Sequence, residues 1–136
     1  MSLHEATLHT IIEILKNRAN PFVVYLFGSC AQGACRDDSD IDIGYLSDLR
    51  LDAYEVFILA QELAGVAGRE VDLVDLATAS TVFKAQVVGK GKIIYCTDNT
   101  RRMYFQMRAL KEYALLNEER AVILNKVKKR GRIYGE

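Results

Sequence analysis

Two short groups of residues carry the chemistry this chain could do: Gly28-Ser29 and, after ten intervening residues, Asp40-Ile41-Asp42-Ile43. In an extended segment, side chains alternate between faces, so Asp40 and Asp42 would share one face and Ile41 and Ile43 the other. Carboxylates that close repel each other unless a cation lies between them, and burying them unpaired is costly. Their spacing therefore asks for a metal. A hard divalent ion with oxygen ligands, most simply Mg²⁺, suits a carboxylate pair that shares it with substrate phosphates. Gly28-Ser29 supplies the other half. A glycine lets the backbone turn tightly and approach a ligand, while a serine hydroxyl and free N–H groups at a helix start can hold a phosphate. Either group alone also occurs in ordinary turns and surface strands; the combination is the specific signal.

These groups need elements to hold them. Phe22–Phe27 is a continuous apolar run after Asn20-Pro21 and reads as a buried strand entered from a turn. Before it, Ser2 and Glu5 have capping-box spacing, and Leu8, Ile11, Ile12 and Leu15 recur at helical intervals, predicting a helix over about 3–18. Ala31, Gly33 and Ala34 allow a short helix after Ser29, with a turn over 36–39 leading into the acidic strand. Asp52 can cap a helix with Val56, Leu59, Ala60 and Leu63 on its buried face, ending at Gly65 or Gly68. Arg69–Leu76 reads as a strand in which Val71, Leu73 and Leu76 face one way and Asp72 and Val74 the other, with Asp75 at its end. Thr78 or Ser80 caps a helix containing Val82, Phe83, Val87 and Val88; Gly89-Lys90-Gly91 stops it, and Lys92–Cys96 is a last short strand.

A long helix is expected over about 100–129. Met103, Met107, Leu110, Ala114, Asn117, Ala121 and Leu124 alternate spacings of four and three, as a packing seam does. Leu115, Leu116, Val122, Ile123 and Val127 add more apolar surface than one neighbour needs, so the helix is expected to meet a partner subunit. The pattern as a whole is α/β (α+β): a mixed sheet of about four strands flanked by helices. It predicts a single domain over 1–136, with the sheet and catalytic core in about 1–97 and the long helix in about 98–130.

Composition narrows the function. Half of the 136 residues are hydrophobic, 26% are charged, and the formal net charge is zero, which gives no global attraction to nucleic acid or membrane. The distribution is uneven: eleven acids and two bases lie between Asp37 and Asp75, against ten bases and four acids from Arg101 onward. An acidic centre suits metal binding, and a basic tail suits an acidic or phosphate-rich partner. No apolar run approaches a membrane span, and no signal-peptide pattern opens the chain, so a cytoplasmic protein is expected. Cys30, Cys35 and Cys96 are odd in number and lack a CxxC spacing, which predicts free thiols rather than a disulfide framework or zinc site. His4 and His9 are read as surface residues.

Gly28-Ser29-x10-Asp40-x-Asp42 resembles the signature of the polymerase-β-like nucleotidyltransferases, most closely their minimal nucleotidyltransferase (MNT) branch. The resemblance runs through almost the whole chain, to Gly91-Lys92-Ile93-Ile94-Tyr95. It implies the nucleotidyltransferase fold and a reaction in which a hydroxyl attacks the α-phosphorus of a nucleoside triphosphate and pyrophosphate leaves. Two Mg²⁺ ions would serve it. Asp40 and Asp42 would bridge them, and Asp72 matches the family's third carboxylate, with Asp75 as the fallback. Gly28 and Ser29 are assigned to the triphosphate by the same resemblance. Many relatives carry an arginine where Gln32 stands here; Gln32 can donate a hydrogen bond but brings no charge, and Arg36, or more remotely Lys84, could replace that cation.

MNT proteins of this size resemble the antitoxins of HEPN–MNT toxin–antitoxin modules. The resemblance implies transfer of AMP from ATP to a tyrosine of a helical HEPN ribonuclease toxin. Two other readings stand beside it: adenylylation of a small hydroxyl-bearing molecule, and a non-catalytic antitoxin that neutralises its partner by binding. A polymerase is disfavoured, because the chain lacks the basic, aromatic-studded groove of a nucleic-acid binder.

Overall fold

The apolar run expected to be the first strand forms β1, Pro21–Phe27, and both of its faces are covered. The computed structural model describes residues 4–33, 35–36 and 38–134, with side chains to residue 129. The elements follow in the order α1 (Glu5–Ala19), β1, β2 (Ile41–Ser47), α2 (Ala53–Ala67), β3 (Val71–Asp75), α3 (Thr81–Lys90), β4 (Lys92–Cys96) and α4 (Asn99–Tyr134). The strands make one sheet in the order β3-β2-β1-β4. β1 is antiparallel to β2 and β4, whereas β2 and β3 are parallel and joined through α2, since a parallel pair needs a crossover element.

Alternation divides the sheet's side chains between two layers. Val24, Leu26, Ile41, Ile43, Val71 and Leu73 pack against Ile11 and Leu15 of α1 and Leu59 and Leu63 of α2. On the opposite face Val23, Tyr25 and Leu46 meet Val87 of α3 and Phe105 of α4. Burial on both sides explains why β1 reads as a continuous apolar run rather than an alternating one.

The helix ends follow local chemistry. Asp52 and Glu55 form the reciprocal capping box of α2, and Gly68 closes that helix in the left-handed conformation, so Gly65 lies inside it. Ser80, not Thr78, caps α3 through the Phe83 N–H at 3.1 Å. The N-cap of α1 is His4, without a side-chain cap bond, and the expected Ser2 cap lies outside the described residues. Asn20, with φ 44°, turns the chain out of α1 into β1.

Several expectations need correction. The segment after Ser29 forms successive turns instead of a helix: Ala31 and Gln32 donate to the Gly28 and Ser29 carbonyls, each at 3.2 Å. Leu76 lies past the end of β3 and packs with Val74 on the α3–α4 face, as the period of two requires of residues 74 and 76; its N–H donates to the Tyr45 carbonyl. Cys30 and Cys35 are joined as a disulfide, and Cys96 alone is free; sequence spacing missed that the turns fold both cysteines into the same buried corner. In α4, Met103, Met107, Leu110 and Leu124 stay exposed. The helix docks instead through Phe105, the buried Ala109 and Gln106, whose amide donates to the Tyr25 hydroxyl at 3.0 Å. The heptad-like seam is thus left uncovered by the other described residues.

Candidate functional site

Asp42 is the second residue of β2 and lies on the sheet face toward α3 and α4. Its strand neighbours fix what it meets. On one side Asp42 is paired with Phe27, the last residue of β1, and on the other with Asp72 of β3. The turn at Gly28 (φ 72°) follows Phe27, and a β-carbon there would overlap the Asp42 carboxylate. Glycine is therefore required twice over, by its left-handed backbone and by the close approach.

The parallel register brings Asp72 to the same level as Asp42, and the two carboxyls share a hydrogen bond. The Asp42 carboxyl is pushed up to about 6 from the ordinary 3.8, first by burial, then by the Asp72 hydrogen bond and the charges of Asp72 and Asp40. Asp40 stands one residue before β2 and is exposed, so only Asp42 of the pair lies within the strand. Among the described residues, no three His, Cys, Asp or Glu side chains converge into a closed metal-binding group. The three acids are electrostatically coupled without being collapsed onto one point. Carboxylates held this close repel one another once ionised, and a hard cation among their oxygens relieves that repulsion. The donors thus fit Mg²⁺.

Asp75 is placed differently. It is paired with Tyr45, and its Oδ1 accepts the Ala77 N–H at 3.0 Å, closing the turn after β3. Beside it the Tyr45 hydroxyl is buried without a partner among the described residues, and burial followed by the Asp75 charge pushes it to about 12. Asp72, not Asp75, is the β3 carboxylate brought to Asp42.

Next to Asp42 a cleft of about 310 Å³ is walled by the β1 end and turn (Phe27, Gly28, Gln32) and by one face of α3 (Phe83, Gln86, Val87, Lys90). Phe83 packs edge-on against Phe27 with ring centres 5.3 Å apart, which fixes α3 beside the turn. Gln32 is among the residues that line this cleft. Arg36 is exposed and is not among the lining residues, and Lys84 lines a separate groove between α3 and α4 with Arg101 and Tyr104. The lysine that does face the turn is Lys90.

Arg69, immediately after the cap of α2, holds the loop that delivers Asp40. Its Nη1 donates to the carbonyls of Arg36 and Ser39 and contacts the Cys35 sulfur at 3.4 Å. The Arg36 N–H is in turn held by Ser39 Oγ at 2.8 Å. Neither Arg69 nor Lys90 stood out in the sequence. Each is a single base with no local partner pattern, and its place depends on contacts between distant segments.

Residues 9–100 match the family described as polymerase beta, nucleotidyltransferase. Over 118 residues the chain is 39% identical to the protein adenylyltransferase MntA of Shewanella oneidensis, spanning 86% of this chain and 84% of that protein. A crystal structure of a toxin–antitoxin with AMP-PNP superposes with a TM-score of 0.79 at 38% identity, over 89% of this chain and 98% of the matched one. A chain from the complex of the tri-AMPylated HEPN toxin of Shewanella oneidensis with its MNT antitoxin superposes with a TM-score of 0.76 at 34% identity, over 91% and 98%. The protein described here belongs to the polymerase β nucleotidyltransferase family.

Proposed function

We propose that this protein is a Mg²⁺-dependent protein adenylyltransferase that moves AMP from ATP onto a tyrosine of a HEPN ribonuclease toxin and so acts as its antitoxin. The observation that carries the reading is the Asp42 carboxylate packed under Gly28 and paired with Asp72, in a chain 39% identical to a protein adenylyltransferase. Asp40, Asp42 and Asp72 are the residues that would hold the Mg²⁺, with two ions expected. When bound, Mg²⁺ supplies positive charge against the reacting phosphate and the attacking and leaving oxygens. Asp42 must release its proton to serve, which its raised pKa permits at neutral pH.

Gly28, Ser29 and Gln32 form the triphosphate-binding turn, where backbone N–H groups and the Ser29 hydroxyl donate to phosphate oxygens; Arg36, exposed and outside the cleft lining, is a further candidate cation for it. The acceptor hydroxyl comes from another macromolecule. The catalytic sheet and its turn fill about 1–97, and the helix over about 98–130 leaves an apolar seam for a protein partner. No described helix is long and apolar enough to cross a membrane, and ATP is a cytoplasmic substrate, so we place the protein in the cytoplasm.

The test is label transfer from α-³²P-ATP with Mg²⁺, with and without the product of the adjacent gene, using an Asp40→Ala/Asp42→Ala double mutant as control. Label on the partner that disappears with the double mutant is the expected result. Label that persists undiminished would sink the proposal, as would a tight, neutralising complex that never acquires label.

A further inference from the structure

We propose that Lys90 is a substrate-binding residue, contacting the β- and γ-phosphates of the nucleotide opposite the Gly28 turn. The inference rests on the adenylyl-transfer reading, because it assumes a nucleoside triphosphate in the cleft. The need comes from charge. The cleft is bordered by the Asp42–Asp72 pair, and the turn over 28–33 contains no basic residue. Divalent ions offset the acids, but a triphosphate brings further negative charge along its β,γ end. Among the described residues lining the cleft, Lys90 is the one cation.

The fold holds it there by three separate contacts. Lys92, two residues on, pairs with Leu26, which is two residues before Gly28. The end of α3 and the phosphate turn are therefore attached to neighbouring strands at the same level of the sheet. Gly91 makes the junction possible: its N–H donates to the Val87 carbonyl at 2.8 Å, and a β-carbon there would collide with that same oxygen. Earlier along the helix, Phe83 locks α3 to Phe27. Phe83, Val87 and Lys90 recur at spacings of four and three, so anchor and lysine share one helix face.

Lys90 is also uncommitted. Its side chain is exposed and forms no ion pair with any described residue. As the last residue of α3 it sits at the negative end of the helix dipole, where an anion would be unwelcome without it. A flexible stem with a compact ammonium suits phosphate oxygens whose positions shift during the reaction. A residue that merely ended the helix would serve the dipole equally well with or without substrate, and that difference is measurable.

The experiment compares binding of ATP and of AMP, each with Mg²⁺, to the full-length wild-type, Lys90→Ala and Lys90→Arg proteins, with melting curves for all three. Loss of a charge-assisted phosphate contact should weaken ATP binding by at least about tenfold in Lys90→Ala. Affinity for AMP, which lacks the β,γ end, should fall less than about twofold, and Lys90→Arg should recover most of the ATP affinity. The ATP KM in partner labelling should rise with little change in kcat. Equal weakening of ATP and AMP, or no weakening of ATP, would overturn the role of Lys90 while leaving adenylyl transfer standing. A wild-type protein that binds neither nucleotide would overturn both.

Discussion

Asp42 is half-buried between Gly28 and Asp72, and its raised pKa records the burial and the acidic neighbour together. The sign of the stability effect follows from the shift. The folded chain holds this proton up to about 6, whereas an unperturbed carboxyl releases it near 3.8. The associated stability is therefore fully present below 3.8 and lost as pH rises through about 6. Above that range the metal-free protein carries an uncompensated buried charge. Asp42→Asn should remove it while keeping a hydrogen bond to Asp72. With chelator at pH 8 the variant should melt about 3 °C higher than wild type, allowing for solvent screening of a partly exposed site, and the difference should vanish below pH 4. Partner labelling should be abolished. A variant no more stable than wild type at pH 8 would show that the acidic pair does not weigh on the metal-free fold.

At the scale of elements, β2 and β3 set the acids in register, but the loop before β2 must still be aimed, and Arg69 does this. The guanidinium bonds two loop carbonyls and rests on the Cys35 sulfur, while the Ile41 N–H donates to the Glu70 carbonyl at 2.9 Å, fastening the start of β2 beside Arg69. Losing hydrogen bonds from a charged donor should cost about 2 kcal/mol, or roughly 6 °C in Tm. We expect Arg69→Ala to show that loss together with a fall in kcat for partner labelling larger than its rise in ATP KM, since the proposed role of Asp40 is to hold the metal and not the nucleotide. Arg69→Lys should rescue in part, because a single nitrogen, Nη1, makes both carbonyl bonds and an ammonium has donors enough to replace it. Full activity in Arg69→Ala would remove the loop from the mechanism. Sequence spacing gave the strands and α2 with its cap, but assigned the cysteines of this loop as free thiols.

For the whole molecule, α4 has two roles divided along its length. Its first part completes the α3–α4 face through Phe105, Ala109 and the Gln106–Tyr25 bond, and Arg101 secures it with a bidentate pair to Asp48 at 2.6 and 2.9 Å over the Phe22 ring. Beyond Leu116 the described side chains are exposed. A chain ending after Leu116 should keep its Tm within about 5 °C of wild type. One ending after Thr97 should lose cooperative melting, since stripping a large aromatic from a core costs about 3–5 kcal/mol against a total stability of about 5–15. Comparable melting of the two truncations would show that the first part of α4 is not integral to the core.

The resemblance carried by Gly28-Ser29-x10-Asp40-x-Asp42 implied the reaction family, and the sequence by itself determined most of the elements. Local signals sufficed for these: the unbroken apolar run of β1, the Asp52–Glu55 cap, the glycine stops, and the alternation that separates Asp42 from Ile41 and Ile43. Tertiary structure decided which residues meet. Whether Asp72 or Asp75 stands beside Asp42 depends on the parallel register of β2 and β3, and a shift of one residue would turn the strand's other face inward. Lys90 comes to the Gly28 turn through the antiparallel pairing of β4 with β1, and the face of α4 that docks is chosen by the pocket around Tyr25 rather than by the helix's own apolar period. Such choices are settled by contacts between segments far apart in the chain, which no local pattern records.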